Sequence, residues 1–243
     1  MNDEHGNKWT NEKSEQVEYY LDVADRVIVD RRRTIKLVCD LFAYNFPNPK
    51  GLKLLDLGCG DGVISRYIHS LYPDNEFHLV DGSRKMIARA EELFAAGNAS
   101  FTCRTFEEIL GDTVAEPRYD FVYSAHAIHH LDLDGKRNLY KRIHADLRTG
   151  GLFLNMDAVQ PATQKTEEWQ LRMWKDWMNE NLRAKGLSDK VGEYDGIPDG
   201  YRNSPEDMPS SLKDQLQVLE EVGFQNVDCF YKYSIFAVFG GTK

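Results

Sequence analysis

The sequence predicts an α/β protein, a mostly parallel sheet with helices on both faces. Two observations predict it. Between residues 53 and 157, apolar runs of strand length alternate with segments of helical period. The first of these runs passes straight into "GCGDG", a turn with glycine at every second position, and then into a helical pattern. Hydrophobic residues make up 42% of the 243 residues, enough for a sizeable core in one large domain or one domain with a cap.

The elements follow in order. Residues 1–13 are polar and read as a frayed tail. Residues 14–45 hold two helical pieces, one striped by Val17, Tyr20, Leu21 and Ala24, the other by Ile35, Val38, Leu41 and Phe42. "FPNPKG" (46–51) breaks the chain. Strands are expected at 53–57, 76–81, 100–103, 119–124 and 152–157. Helices are expected at 61–72, at 83–96 with Ser83 as N-cap, as a short turn at 106–110, and at 135–148, ended by Gly150-Gly151. The alternation then stops. "TEEWQLRMWKDWMNENL" (166–182) carries Trp169, Met173, Trp174, Trp177 and Met178 on one helical face. Residues 186–209, rich in Gly, Pro and Asp, read as a long loop, and loops of that length are usually functional or disordered. A helix at 211–224 and either two strands or one bent ribbon at 227–239 complete the chain.

Lys and Arg total 30 against 39 Asp and Glu, a formal net charge of −9, which opposes generic binding to a phosphate backbone. Arg31-Arg32-Arg33 is too short for a basic arm and reads as a solvated helix segment. Cys39, Cys59, Cys103 and Cys229 have no paired spacing that suggests a disulfide framework or a metal site. The N-terminus is not a signal peptide, and no apolar run approaches the roughly 18 residues of a membrane span. The expectation is a cytoplasmic protein with reduced thiols, monomer or homodimer.

The glycine turn points to a nucleotide. In an open parallel sheet, ligands sit beyond the carboxyl ends of the strands at the switch point. Asp81 closes the second strand, placed to grip a ribose diol. A dinucleotide fingerprint starting at Gly58 and Gly60 would need a third glycine where Val63 stands, which leaves a dehydrogenase as a distant reading.

The blocks "LLDLGCGDG", "LVDGSRKMIARA", "YDFVYSAHAIHHL" and "LRTGGLFLNMD" occur in one order over residues 53–157. In them the chain resembles the class I S-adenosylmethionine (SAM)-dependent methyltransferases, of the small-molecule subgroup in its C-terminal block. The resemblance implies a Rossmann-like, doubly wound, mostly parallel seven-stranded sheet with an antiparallel C-terminal strand and a helical cap insertion. It divides the chain into N-terminal helices over the cofactor site (1–50), a SAM-binding core (51–157), a helical cap or lid (158–210) and a C-terminal helix and strands (211–243). It implies SAM as cofactor, with S-adenosylhomocysteine as product. Asp56, Gly58, Cys59 and Gly60 would line its methionine and ribose, Asp81 would take the ribose hydroxyls, and Gly82 would follow beside the adenosine. Met86 would lie on the adenine face or belong to the helix core. Arg33 is the expected partner of the methionine carboxylate, or a surface arginine. Ala125 and His126 would neighbour the methionine end.

One departure concerns adenine. The family often has an acidic residue after the third strand, where this chain has Arg104 and Thr105. An arginine accepts no hydrogen bond, so backbone of 104–106 or Glu107 has to substitute.

On the acceptor side the candidates are His130, Trp174, Arg202, Tyr231 and Tyr233. His129 is a candidate general base, and at least one of His129 and His130 is expected to be structural. No metal is expected, because adjacent helical residues diverge. The acceptor is expected to be a small molecule; six acids against Lys190 and Arg202 in 186–209 suit a cationic one or simply a solvated loop. Methyl transfer needs alignment and exclusion of water, and needs a base only when the nucleophile must lose a proton. Two alternatives stand beside this reading. One is a carboxy-SAM synthase, which would use a cation such as Arg202 for the added carboxylate; its glycine turn lacks the run ending at Gly62. The other is a non-catalytic SAM-binding protein.

Overall fold

The computed structural model describes residues 14–94, 97–111 and 118–243. The tail expected at 1–13, the far end of the helix expected to reach Ala96, and the side chains of Val17 and Tyr20 lie outside the described residues.

Two helices, α1 (Ser14–Val27) and α2 (Arg31–Asn45), precede β1 (Lys53–Leu57). Alternation follows: α3 (Val63–Leu71), β2 (Glu76–Asp81), α4 (Arg84–Leu93), β3 (Ala99–Cys103), α5 (Phe106–Leu110), β4 (Tyr119–Ala125), α6 (Leu133–Asp146) and β5 (Leu147–Ala158). Then come α7 (Gln164–Ala184), α8 (Ile197–Arg202), α9 (Leu212–Val222), β6 (Gln225–Tyr233) and β7 (Phe236–Thr242).

Local chemistry explains the helix starts. Ser83 caps α4 by accepting from Met86 N, and Asp132 caps α6 by accepting from Gly135 N at 2.7 Å. Thr105 and Glu108 form a reciprocal capping box on α5. The end of α6 differs from expectation. The helix stops at Asp146, and Gly150-Gly151 lie inside β5, in an irregular stretch where pairing with β4 jumps from Tyr119–Leu147 to Phe121–Leu152. Glycine there serves a bulge rather than a helix cap. The segment 186–209 is also more ordered than a loop: it contains a 3₁₀ turn at Ser188–Lys190 and α8, whose Pro198 sits in the first turn.

The seven strands run in the order β3-β2-β1-β4-β5-β7-β6. The first five pair parallel, and β7 pairs antiparallel to both β5 and β6. Side chains alternate between faces. Leu54, Leu79, Phe121 and Leu154 pack with α2, α3 and α4, whereas Leu55, Val80, Val122 and Phe153 pack with α6 and α9. Each such fully buried side chain contributes about 1.5–3 kcal/mol. A third cluster joins α1 (Val23, Val27), α7 (Leu171, Trp174, Met178) and the β6–β7 turn (Ile235, Phe236). It sits over one end of the sheet, and with that it covers the switch point between β1 and β4.

Candidate functional site

A cavity of about 730 Å³ opens at the carboxyl ends of β1, β2 and β4. Its first wall is the glycine turn. Gly58 has φ +69°, and a Cβ there would lie 2.3 Å from Ala127 Cβ, so only glycine lets the turn approach the loop after β4. Gly60 has φ +54° and open space where a Cβ would stand, on the cavity side of the turn. Behind the turn, Asp56 is buried and accepts from Ser65 Oγ at 2.6 Å. Burial raises its carboxyl to about 7.

Asp81 ends β2 with its carboxylate fixed. Oδ2 accepts from Gly60 N at 2.9 Å and Oδ1 from Ser83 N at 2.7 Å. Burial raises its pKa, and those two N–H donors pull it back. Each oxygen keeps acceptor capacity beyond its one backbone donor, and Asp81 lines the cavity, so a vicinal diol can donate to it. Gly82, Met86, Arg104, Thr105, Ala125 and His126 line the same cavity, as do Phe106 and Glu107. Cys59 lines it with a thiol pushed up by burial, first, and by Asp56. His126 adopts φ +52°, and burial pulls its imidazole down to about 4, so it is neutral at pH 7.

Four expected site residues stand elsewhere. Arg33 is 77% exposed and pairs with Asp30. Arg31, two positions round the helix, lines the cavity with its side chain 13% exposed and pairs with Asp25 at 2.8 Å. The arginine triplet is therefore not simply a solvated segment. Arg202 is tied to Glu167 at 3.0 Å, outside the cavity lining. Tyr231 donates to Asp30 Oδ2 at 3.2 Å, and neither it nor Tyr233 lines the cavity. Both belong to β6, the edge strand, which β5 and β7 separate from the switch point; the turn after it sends Ile235 and Phe236 to the cavity instead.

Trp174 does line the cavity. It is buried, donates from Nε1 to Val27 O at 2.6 Å, and meets Phe236 edge-on at 5.0 Å. Tyr201 of α8 completes this apolar corner.

The loop after β4 forms a 3₁₀ turn at Ile128–His130. Contrary to the divergence expected of neighbours, the rings of His129 and His130 stand 4.2 Å apart, and both line the cavity. His129 Nδ1 meets Asp157 Oδ1 at 2.6 Å, and its Nε2 meets Asp207 Oδ1 at 3.4 Å. His130 Nδ1 lies 3.2 Å from the same Asp207 oxygen, so it is part of this cluster. Burial works against a charged His129, but Asp157 and Asp207 outweigh it and raise the ring to about 9. His129 thus holds a proton at neutral pH, which runs against a resting general base.

Sequence reading missed Arg31, the ring of Phe106, Tyr201, Phe236, Asp157 and Asp207. Arg31 had a signal in the arginine triplet. Asp207 had none, since its place depends on segment 206–208 docking on the 3₁₀ turn through Met208 N to His129 O at 2.8 Å.

Comparison with known proteins agrees with this geometry. Residues 54–151 match a family described as a methyltransferase domain. A carboxy-S-adenosyl-L-methionine synthase of Helicobacter pylori is 22% identical over 81% of this chain and 77% of its own length. A phosphoethanolamine N-methyltransferase of Plasmodium falciparum is 32% identical over 48% of this chain and 42% of its own. The chain spans less than half the length of that relative and of others it matches, among them a malonyl-[acyl-carrier protein] O-methyltransferase and a ribosomal RNA methyltransferase. An O-methyltransferase family protein from Burkholderia thailandensis shares the fold, with TM-score 0.67 at 12% identity over 96% of this chain and 61% of its own. The switch-point cavity, the glycine turn and the mixed seven-stranded sheet make a Rossmann-like methyltransferase fold, and residues 54–151 match a methyltransferase domain.

Proposed function

We propose that this protein transfers a methyl group from SAM to a small-molecule acceptor held in the same cavity. One observation carries this reading. A single cavity runs from the diol-accepting Asp81 to an apolar corner of Trp174, Tyr201 and Phe236. Its volume is in the range of small-molecule sites. Bound SAM supplies a methyl on a sulfonium, with a neutral thioether as leaving group.

The chain's own residues divide the work. Asp81 holds the ribose hydroxyls by charge-assisted hydrogen bonds. Arg31 takes the methionine carboxylate, in place of Arg33. Phe106 and Met86 provide the apolar faces for adenine, and Glu107 or the backbone beside Arg104 and Thr105 provides the acceptor. Helices α1 and α2 and segment 158–210 act as the cap, with Val27, Trp174 and Tyr201 excluding water above the acceptor. The net charge of −9 favours a small molecule over RNA, although relatives named for ribosomal RNA are among the matches.

Isothermal titration with SAM, followed by transfer of labelled methyl to a panel of amines, alcohols and acids, tests the reading. SAM binding with labelled product is expected; absence of SAM binding refutes it. The breadth of the match to the carboxy-SAM synthase keeps that alternative specific. Arg202 pairs with Glu167 outside the cavity lining, whereas Arg31 and Arg104 line the cavity and would be the cations available. Carboxylated SAM in the mass spectrum of ligand released from the purified protein would decide for it.

A further inference from the structure

We propose that His129, His130 and Asp207 form a binding site for a divalent transition-metal ion on the cavity wall.

The donor atoms already stand at a metal's spacing. Ligand atoms of the three residues lie within 4.8 Å of one another. His129 Nε2 and His130 Nδ1 lie 3.4 and 3.2 Å from the one oxygen, Asp207 Oδ1. Donors held at about 2.1 Å around a tetrahedral ion are roughly 3.4 Å apart. An ion can therefore enter with small side-chain adjustments, taking the place of the proton that His129 and Asp207 share. His130 Nδ1 also lies 3.1 Å from Glu206 O, a contact it gives up when that nitrogen turns its lone pair to an ion.

The outer shell is in place as well. A ligating histidine usually has its other ring nitrogen hydrogen-bonded to a carboxylate, which fixes tautomer and orientation. Asp157 does this for His129, with Oδ1 at 2.6 Å from Nδ1 and Oδ2 accepting from His129 N at 2.9 Å. Asp157 is itself held by Ala158 N at 2.8 Å. The segment carrying Asp207 is pinned too. Met208 N donates to His129 O, and the buried Lys136 bridges Met208 O, at 2.7 Å, and Leu131 O.

The donor set fixes the class of ion. Two imidazoles and one carboxylate suit zinc, iron(II), cobalt or manganese, and do not suit magnesium or calcium, which take oxygen ligands. Three protein ligands leave coordination positions open, and all three residues line the cavity, so an oxygen or nitrogen of the acceptor can complete the shell. That role for the acceptor rests on the methyl-transfer reading; the ion site itself does not.

The test uses tag-free, chelator-stripped protein in equilibrium dialysis against zinc and cobalt(II), with metal counted by mass spectrometry and cobalt ligand-field bands read in the visible. One ion per chain is expected, with dissociation constants of about 1 μM or tighter. Asp207→Asn and His130→Ala are each expected to weaken binding at least ~10-fold, and Asp157→Asn by roughly 10- to 100-fold through the outer shell. Millimolar magnesium should not compete. Thermal melts without metal establish that each variant folds, and the wild-type titration stands whether or not they do. No ion bound by the wild type, or unchanged affinity in the folded variants, overturns the proposal. A SAM titration of the wild type reports on the cofactor separately, so either reading can fail alone.

Discussion

Asp81→Ala isolates the contact on which the cofactor reading depends most. In the structure each Asp81 oxygen accepts one backbone N–H, from Gly60 and Ser83, and the carboxylate faces the cavity. A ribose diol adds two hydrogen bonds to a charged acceptor, each worth about 1.5 kcal/mol at the lower end. Their loss sums to about 3 kcal/mol, or roughly 10²-fold in SAM affinity. Loosening of Gly60, which loses its tether, adds to that. Folding itself should survive, because burial already raises the Asp81 pKa and removing the carboxylate removes a desolvated charge. Asp81→Asn keeps the shape and loses the charge, so it should fall between wild type and Asp81→Ala. The assay is calorimetric titration with SAM and with S-adenosylhomocysteine, alongside urea unfolding of each variant. Two folded variants that bind SAM within about twofold of wild type would refute the assignment of Asp81 to the diol.

Three further predictions follow from particular residues. Gly58→Ala combines a Cβ 2.3 Å from Ala127 Cβ with φ +69°, and should cost about 2–4 kcal/mol in urea denaturation. Arg31→Ala should weaken SAM binding about tenfold while Arg33→Ala leaves it unchanged, since only the first side chain reaches the cavity; equal effects would return the carboxylate to open assignment. Asp56 has a folded pKa of about 7 against an unfolded value near 3.8, so the fold binds its proton more tightly than the unfolded chain does. Its contribution to stability therefore falls as pH rises from about 4 to 7 and is flat above that. Asp56→Asn should gain about 2–3 kcal/mol relative to wild type between pH 5 and pH 8, read as the difference of the two denaturation curves.

What the sequence by itself determined lies in short-range pattern. The alternation of apolar runs set the five parallel strands, with β1, β2 and α5 at their observed bounds. The glycine turn and Asp81 marked one wall of the cavity, because a left-handed turn and an acid at a strand end are local requirements that only certain residues meet. Even locally, propensity failed where pairing intervened: the glycine pair taken as a helix stop serves the β4–β5 register shift.

What the tertiary structure decided is everything that depends on elements distant in the chain. A helical triplet shows that arginines are present, but only the docking of α2 on the sheet puts Arg31 on the cavity wall and leaves Arg33 exposed. Alternation in β6 pairs Tyr231 with Tyr233 on one face, yet strand order puts that face beyond β7. The histidine cluster is the sharpest case. Residues 129 and 130 diverge on a regular helix, but a 3₁₀ turn brings their rings together, β5 supplies Asp157, and a segment from beyond α8 supplies Asp207. No spacing encodes such a set, because its members meet only where hydrophobic burial packs α7 and the segment after it onto the end of the sheet.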